Sequence, residues 1–140
     1  MQKFETALSH CSYYKAESLL YLKLKTEPDP TLELIKLNFE QIHQVLGTTP
    51  VKAILDMREV DFMDIPKDVM EYMGNNPYND YQLSNAILIQ NLAHKILTNF
   101  YLKVVKPKIP TKTFNNASLA MEWLNIKNSN NCREILMHIN

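Results

Sequence analysis

The 140-residue sequence predicts an α/β domain, with a mixed sheet of about five strands and about four helices, and three observations carry that prediction. Leu20, Leu22 and Leu24 alternate with Tyr21, Lys23 and Lys25, the period of two expected of a half-buried strand. Leu32, Ile35, Phe39, Ile42 and Leu46 recur at steps of three and four, the period of a helix with one buried face. Two short apolar runs, 51–55 and 84–90, are each followed by a helical pattern, which is the order of parallel βα units with right-handed crossovers.

Taken in order, Tyr13 and Tyr14 open the first strand of an antiparallel hairpin over residues 12–26, with Lys15-Ala16-Glu17-Ser18 as its polar turn. Glu27-Pro28-Asp29-Pro30 breaks the chain. Asp29 can cap the first helix there, with Pro30 in its first turn and Gly47 at its end. The strand at 51–55 runs into Asp56-Met57-Arg58, and a short helix over 67–73 opens near Asp64 or Pro66 with Val69, Met70 and Met73 inward. Residues 74–80 form a turn-rich loop before the strand at 84–90. Asn91 caps a helix over 92–105, with Leu92, Ile96, Phe100 and Val104 on one face and Ala93, Leu97 and Tyr101 beside them; Lys106-Pro107 ends it. A short strand at 111–114 precedes a helix capped by Asn115 or Asn116 and carrying Leu119, Ala120, Trp123 and Leu124. The pattern reads as a single domain over residues 1–140 with its core at about 10–127, and the tail from Asn131 can add a helical turn or two.

Fifteen basic residues balance fifteen acidic ones, so no general field draws the chain to nucleic acid or an anionic membrane. Cys11 and Cys132 stand near opposite ends without metal-ligand spacing, and one distant pair does not indicate a disulfide. No signal-like segment or membrane-length apolar run is present, so a soluble cytoplasmic protein without an integral membrane segment is expected. Gly47 and Gly74 are the only glycines, too few for a phosphate-cradling loop, and no GxSxG elbow occurs. His10, His43, His94 and His138 are scattered over four segments. No cofactor, and no enzyme, is expected from this pattern.

The best place for function is the end of the strand at 51–55, because open α/β sheets put their functional groups at the C-terminal ends of strands. Asp56 and Arg58 stand there, and Arg58 is one of only two arginines. Arg suits a partner's carboxylate or phosphate; the alternative is an internal pair with Glu59 or Asp61. The acids Asp56, Glu59, Asp61, Asp64, Asp68 and Glu71 cluster here, but Phe62 and Pro66 interrupt any calcium-loop spacing, so no metal centre is expected. Lys103, Lys106 and Lys108 beside Phe100 and Tyr101 suit an acidic partner or a phospholipid headgroup, or simply oppose a helix dipole.

The segment AILDMREVDFMDIPKDVMEYM, within this order of elements, resembles the STAS domain, the fold of bacterial anti-sigma factor antagonists. Asp56 and Asp64 fall at that family's two acidic positions. The later stretch NFYLKVVKPKIPTKTF, with AMEWL after it, is similar to small uncharacterised STAS-like proteins of Bacteroidetes, related to the CRAL-TRIO lipid-binding fold. Where phosphorylation-switched antagonists carry a Ser after the second Asp, this chain has Ile65-Pro66. The resemblance implies a non-enzymatic interaction or regulatory module without that serine. Its partner surface would comprise Asp56, Arg58, Met63, Asp64, Ile65 and Lys67: Arg58 anchors a partner carboxylate, Ile65 and Met63 add apolar contact, and Asp64 caps the helix. The alternative it implies is a small apolar-ligand or lipid carrier with a pocket of Met70, Leu97, Phe100 and Tyr101. A protein partner suits the first reading and an apolar ligand the second, and a homodimer stays open.

Overall fold

The computed structural model describes residues 1–61, 65–126 and 129–140. Among these residues six strands lie side by side in chain order: β1 (Gln2–Glu5), β2 (Ser9–Tyr14), β3 (Leu19–Leu24), β4 (Val51–Asp56), β5 (Gln82–Leu88) and β6 (Thr111–Phe114). The first three pair antiparallel, and β3 to β6 pair parallel. Helix α1 (Leu32–Leu46) joins β3 to β4, α2 (Lys67–Gly74) joins β4 to β5, and α3 (Leu92–Val105) joins β5 to β6. Two further helices follow, α4 (Ala117–Trp123) and α5 (Cys132–Ile139).

A parallel sheet that advances in one direction through right-handed crossovers stacks its connecting helices on one face. The buried clusters follow that division. On the first face Leu20, Leu22, Leu55 and Ile87 pack with Ile35 and Phe39 of α1 and Val69 and Met70 of α2. On the second, Tyr21, Ile54 and Leu88 pack with Met121 of α4 and Ile135 and Ile139 of α5. Alternation along β4 sends Val51 and Leu55 to the first face and Ile54 to the second, and Asp56 follows Ile54. Strand segments covered on both faces read as continuous apolar runs, as 53–55 of β4 and 86–88 of β5 do. Each large aliphatic side chain buried in these layers contributes about 1.5–3 kcal/mol relative to exposure.

Local chemistry sets the helix ends. Thr31, not Asp29, caps α1: its Oγ1 accepts from Leu34 N at 3.2 Å, and Pro30 stands before the cap. Gly47 closes α1 at φ +59°, a conformation that disfavours a Cβ. Asn91 caps α3 by accepting from His94 N at 3.0 Å, and Asn116 caps α4 by accepting from Ser118 N at 2.7 Å. The hairpin turn is a short 3₁₀ segment, Lys15–Glu17, closed by Ser18 in the left-handed region.

The sheet has one strand more than the sequence predicted. β1 is a polar edge strand: Gln2, Lys3 and Glu5 face solvent, so its pattern lacks the apolar alternation that marks β3. β2 correspondingly starts at Ser9 rather than Tyr13, with Glu5 opposite His10. The tail is a full helix, α5, whose Ile135 and Ile139 complete the second layer. Cys11 belongs to the first-face core and Cys132 packs beside the second, so the sheet lies between the two free thiols.

Candidate functional site

At the C-terminal end of β4 the Asp56 side chain is 3% exposed and receives donors from several directions. Arg58 grips it through two parallel bonds, Nε to Oδ1 at 2.9 Å and Nη2 to Oδ2 at 2.7 Å, and Arg58 N donates to Oδ1 at 3.0 Å. Tyr21 Oη, from the adjacent β3, donates to Oδ2. Nη2 of Arg58 also donates to the carbonyl of Ile139, near the end of α5. Two strands, the loop after β4 and the last helix thus meet on one carboxylate.

Electrostatics follows the geometry. Burial alone would raise the Asp56 pKa, but the hydrogen bonds from Arg58 and Tyr21 outweigh it and hold the carboxyl below its ordinary value. Burial, together with the Asp56 carboxylate, pushes the Tyr21 phenol well above its ordinary value. The hydrogen bonds to Asp56 raise Arg58 despite its partial burial. All three groups are therefore fixed in one protonation state around neutrality. His138 of α5 packs edge-on against Tyr14 and Tyr21 and lies 3.2 Å from Ser12 Oγ; desolvation and Lys3 lower its pKa.

The internal partner of Arg58 is Asp56, not Glu59 or Asp61, because the chain turns after β4 and lays the guanidinium back over the strand end. Glu59 instead pairs with Lys23 at 3.1 Å. The guanidinium edge that was to anchor a partner's carboxylate is occupied within the chain. Ile65, expected to offer apolar contact, is buried at 8% exposure in the first-face core, and Pro66 stands at the start of α2. Lys67 is exposed, with Glu71 one turn on at 3.9 Å. Met63 and Asp64, and with them the expected Asp64 cap, lie outside the described residues.

Of the residues expected to line an apolar pocket, Met70 and Tyr101 do share one, between α2, α3 and the sheet. Leu97 packs against the core without lining it, and Phe100 points to solvent at 67% exposure. The cavity holds about 40 Å³, against roughly 300–1,000 Å³ for small-molecule sites. Its size does not favour the carrier alternative. Among the described residues no three His, Cys, Asp or Glu side chains gather to hold a metal ion, and no helix is long and apolar enough to cross a membrane.

The largest surprise is α3. Thr98, Leu102 and Val105 face inward, whereas Leu92, Ile96, Phe100 and Val104, the stripe read from the sequence as one apolar face, are 70%, 61%, 67% and 54% exposed. The helix is apolar nearly all round, and the sheet covers only one side of it.

Sequence reasoning did not find Tyr21 or the Ile139 carbonyl, the two Asp56–Arg58 partners contributed from a distance. Tyr21 sits in an alternating strand where it reads as an outward residue of a one-sided sheet, and a backbone carbonyl carries no signal at all. Asn38 was also missed. Its Oδ1 accepts from Leu8 N at 2.8 Å and from the hydroxyls of Thr6 and Ser9, pinning α1 to the β1–β2 turn. Its place between Ile35, Phe39 and Ile42 on the buried face was the available clue.

Comparison with known proteins gives a family and a fold. The sequence model of DUF7793, described as a domain of unknown function, matches residues 13–127. No curated protein matches significantly. A solved structure from Shewanella loihica PV-4, an uncharacterized protein of the DUF3478 family with a SpoIIAA-like fold, superposes with a TM-score of 0.58. The two share 17% identity, and the match covers 89% of this chain and 98% of that one. The architecture is STAS-like, as the strand–loop–helix segment at 53–73 implied.

Proposed function

The chain belongs to the DUF7793 family, and from that membership and its STAS-like fold we propose that it is a non-enzymatic interaction module. One observation carries the reading. The polar groups at the functional end of the sheet satisfy one another, while four of the largest exposed apolar side chains gather on a single helix, α3. Asp56, Tyr21 and Arg58 act as a structural clasp, since their fixed protonation states suit neither proton donation nor abstraction near neutrality. A clustered apolar surface on a folded domain marks a place where something docks. Regulation by phosphorylation of a serine at the start of α2 has no acceptor at Ile65-Pro66.

In-cell photo-crosslinking tests the module. A photoreactive side chain at position 100 is expected to yield an adduct, with a protein or with lipid, and one at Glu40, on the exposed side of α1, is not. Absence of any adduct at 100 removes the proposed surface. Turnover of a small-molecule substrate that disappears in Asp56→Asn, with the fold intact, would instead make the domain an enzyme.

A further inference from the structure

We propose that the outer face of α3 docks on an anionic lipid bilayer surface, an inference that rests on the interaction-module reading and names its partner. The argument starts from charge. Although the whole chain is balanced, no acidic residue occurs between Asp80 and Glu122, and that stretch carries Lys95, Lys103, Lys106, Lys108 and Lys112. At about 100° per residue, Leu92, Ile96, Phe100 and Lys103 fall within about 80° of arc on α3, with Val104 at one border and Lys95 at the other. All six are exposed. Glu71 and Asp68 of α2 act on Tyr101, which lies about half a turn from Leu92 and faces the α2 seam, its hydroxyl donating to the Lys67 carbonyl at 2.8 Å. The outer face is therefore apolar and cationic, with no carboxylate of its own.

That combination separates the occupants. A second copy of this chain pairing face to face would bury Lys103 inside the apolar seam, with no carboxylate on either α3 to meet it, a costly arrangement. A bilayer accepts both features together. Leu92, Ile96 and Phe100 enter the boundary between headgroups and acyl chains, while the lysine stems run along the apolar surface and carry their ammonium groups to lipid phosphates. The inner side of the helix packs on α2 and the sheet, and the stripe of Leu92, Ile96 and Phe100 lies on the exposed side, where a plane can meet it. Lys106 and Lys108, just past its end, extend the cationic rim.

Vesicle flotation of the full chain tests the proposal, using phosphatidylcholine vesicles with and without phosphatidylserine. Binding is expected only with phosphatidylserine, and it should weaken with salt. Lys95→Glu/Lys103→Glu and Ile96→Asp/Phe100→Asp should each reduce partitioning by about tenfold or more, since each basic residue near an anionic surface and each inserted apolar side chain counts. All four positions are exposed, so both variants should melt like the parent chain, which separates lost binding from lost folding. A tryptophan at position 100 in a Trp123→Phe background should shift its emission to the blue when such vesicles are added. No flotation, or flotation unchanged by both double variants, overturns the bilayer. If vesicles fail but position 100 crosslinks to a protein or to a second copy, the module stands and this partner is wrong. If vesicles and crosslinks both fail, the module reading fails with it.

Discussion

At Asp56 a buried charge persists because Arg58 and Tyr21 donate to its two oxygens, and removing a donor strands the carboxylate. Arg58→Ala should therefore cost about 3 kcal/mol in urea unfolding. Arg58→Lys should recover little of it, since an ammonium cannot reproduce the two parallel bonds. The pH dependence has a definite sign. The folded pKa of Asp56 is held below its unfolded value, so this contribution is complete above about pH 4 and is lost as pH falls through the folded pKa. In Asp56→Asn the acid arm of the stability curve should flatten, and an unchanged arm would show that the clasp is not the acid-sensitive element. Asn38→Ala leaves buried Leu8 N without its acceptor, while the Thr6 and Ser9 hydroxyls fall back on each other and on the Ser9 carbonyl, and it should cost about 2 kcal/mol by the same measurement. Asp56 and Arg58 were legible in the sequence because strand ends can be read locally. Tyr21 and the Ile139 carbonyl stand 35 and 81 residues from their partners, and no local pattern encodes that distance.

Among the elements, α3 carries the proposed docking surface. Its apolar residues run almost round the helix, so periodicity located the helix but did not say which side meets the sheet. The larger stripe faces outward, and Thr98, buried on the inner side with its hydroxyl donating to the His94 carbonyl of the same helix at 2.7 Å, looked unremarkable. The two sides should respond in opposite ways. Ile96→Asp/Phe100→Asp should leave thermal stability within about 0.5 kcal/mol of the parent per substitution, as exposed positions do. The α2–α3 seam should not be so tolerant. A Cβ at Gly74 would stand 2.7 Å from Val105 Cγ1, the end of a stiff β-branched side chain, so Gly74 lets the two helices approach. Gly74→Leu should destabilise by about 2 kcal/mol, checked by chemical denaturation.

The whole molecule depends on its last helix in a way that the tail's sequence hardly announces. α5 covers the second face of the sheet and offers the carbonyl that Arg58 holds, tying the end of the chain to the end of β4. Ile135, fully buried there, should cost about 3 kcal/mol when truncated to Ala, and a loss below about 1 kcal/mol would mean that α5 is dispensable. The sequence alone determined the mixed α/β class, the central strands, most helix caps and the STAS-like order, because periodicity, capping and turn chemistry act over a few residues. Even the absent serine at Ile65-Pro66 is a local fact. The tertiary structure alone decided that β1 joins the edge, that Arg58 turns inward, that Ile65 is core, that the pocket is small and that the outer stripe of α3 is bare. Each of these depends on which faces meet, and burial is a property of packed elements that no single element's pattern contains.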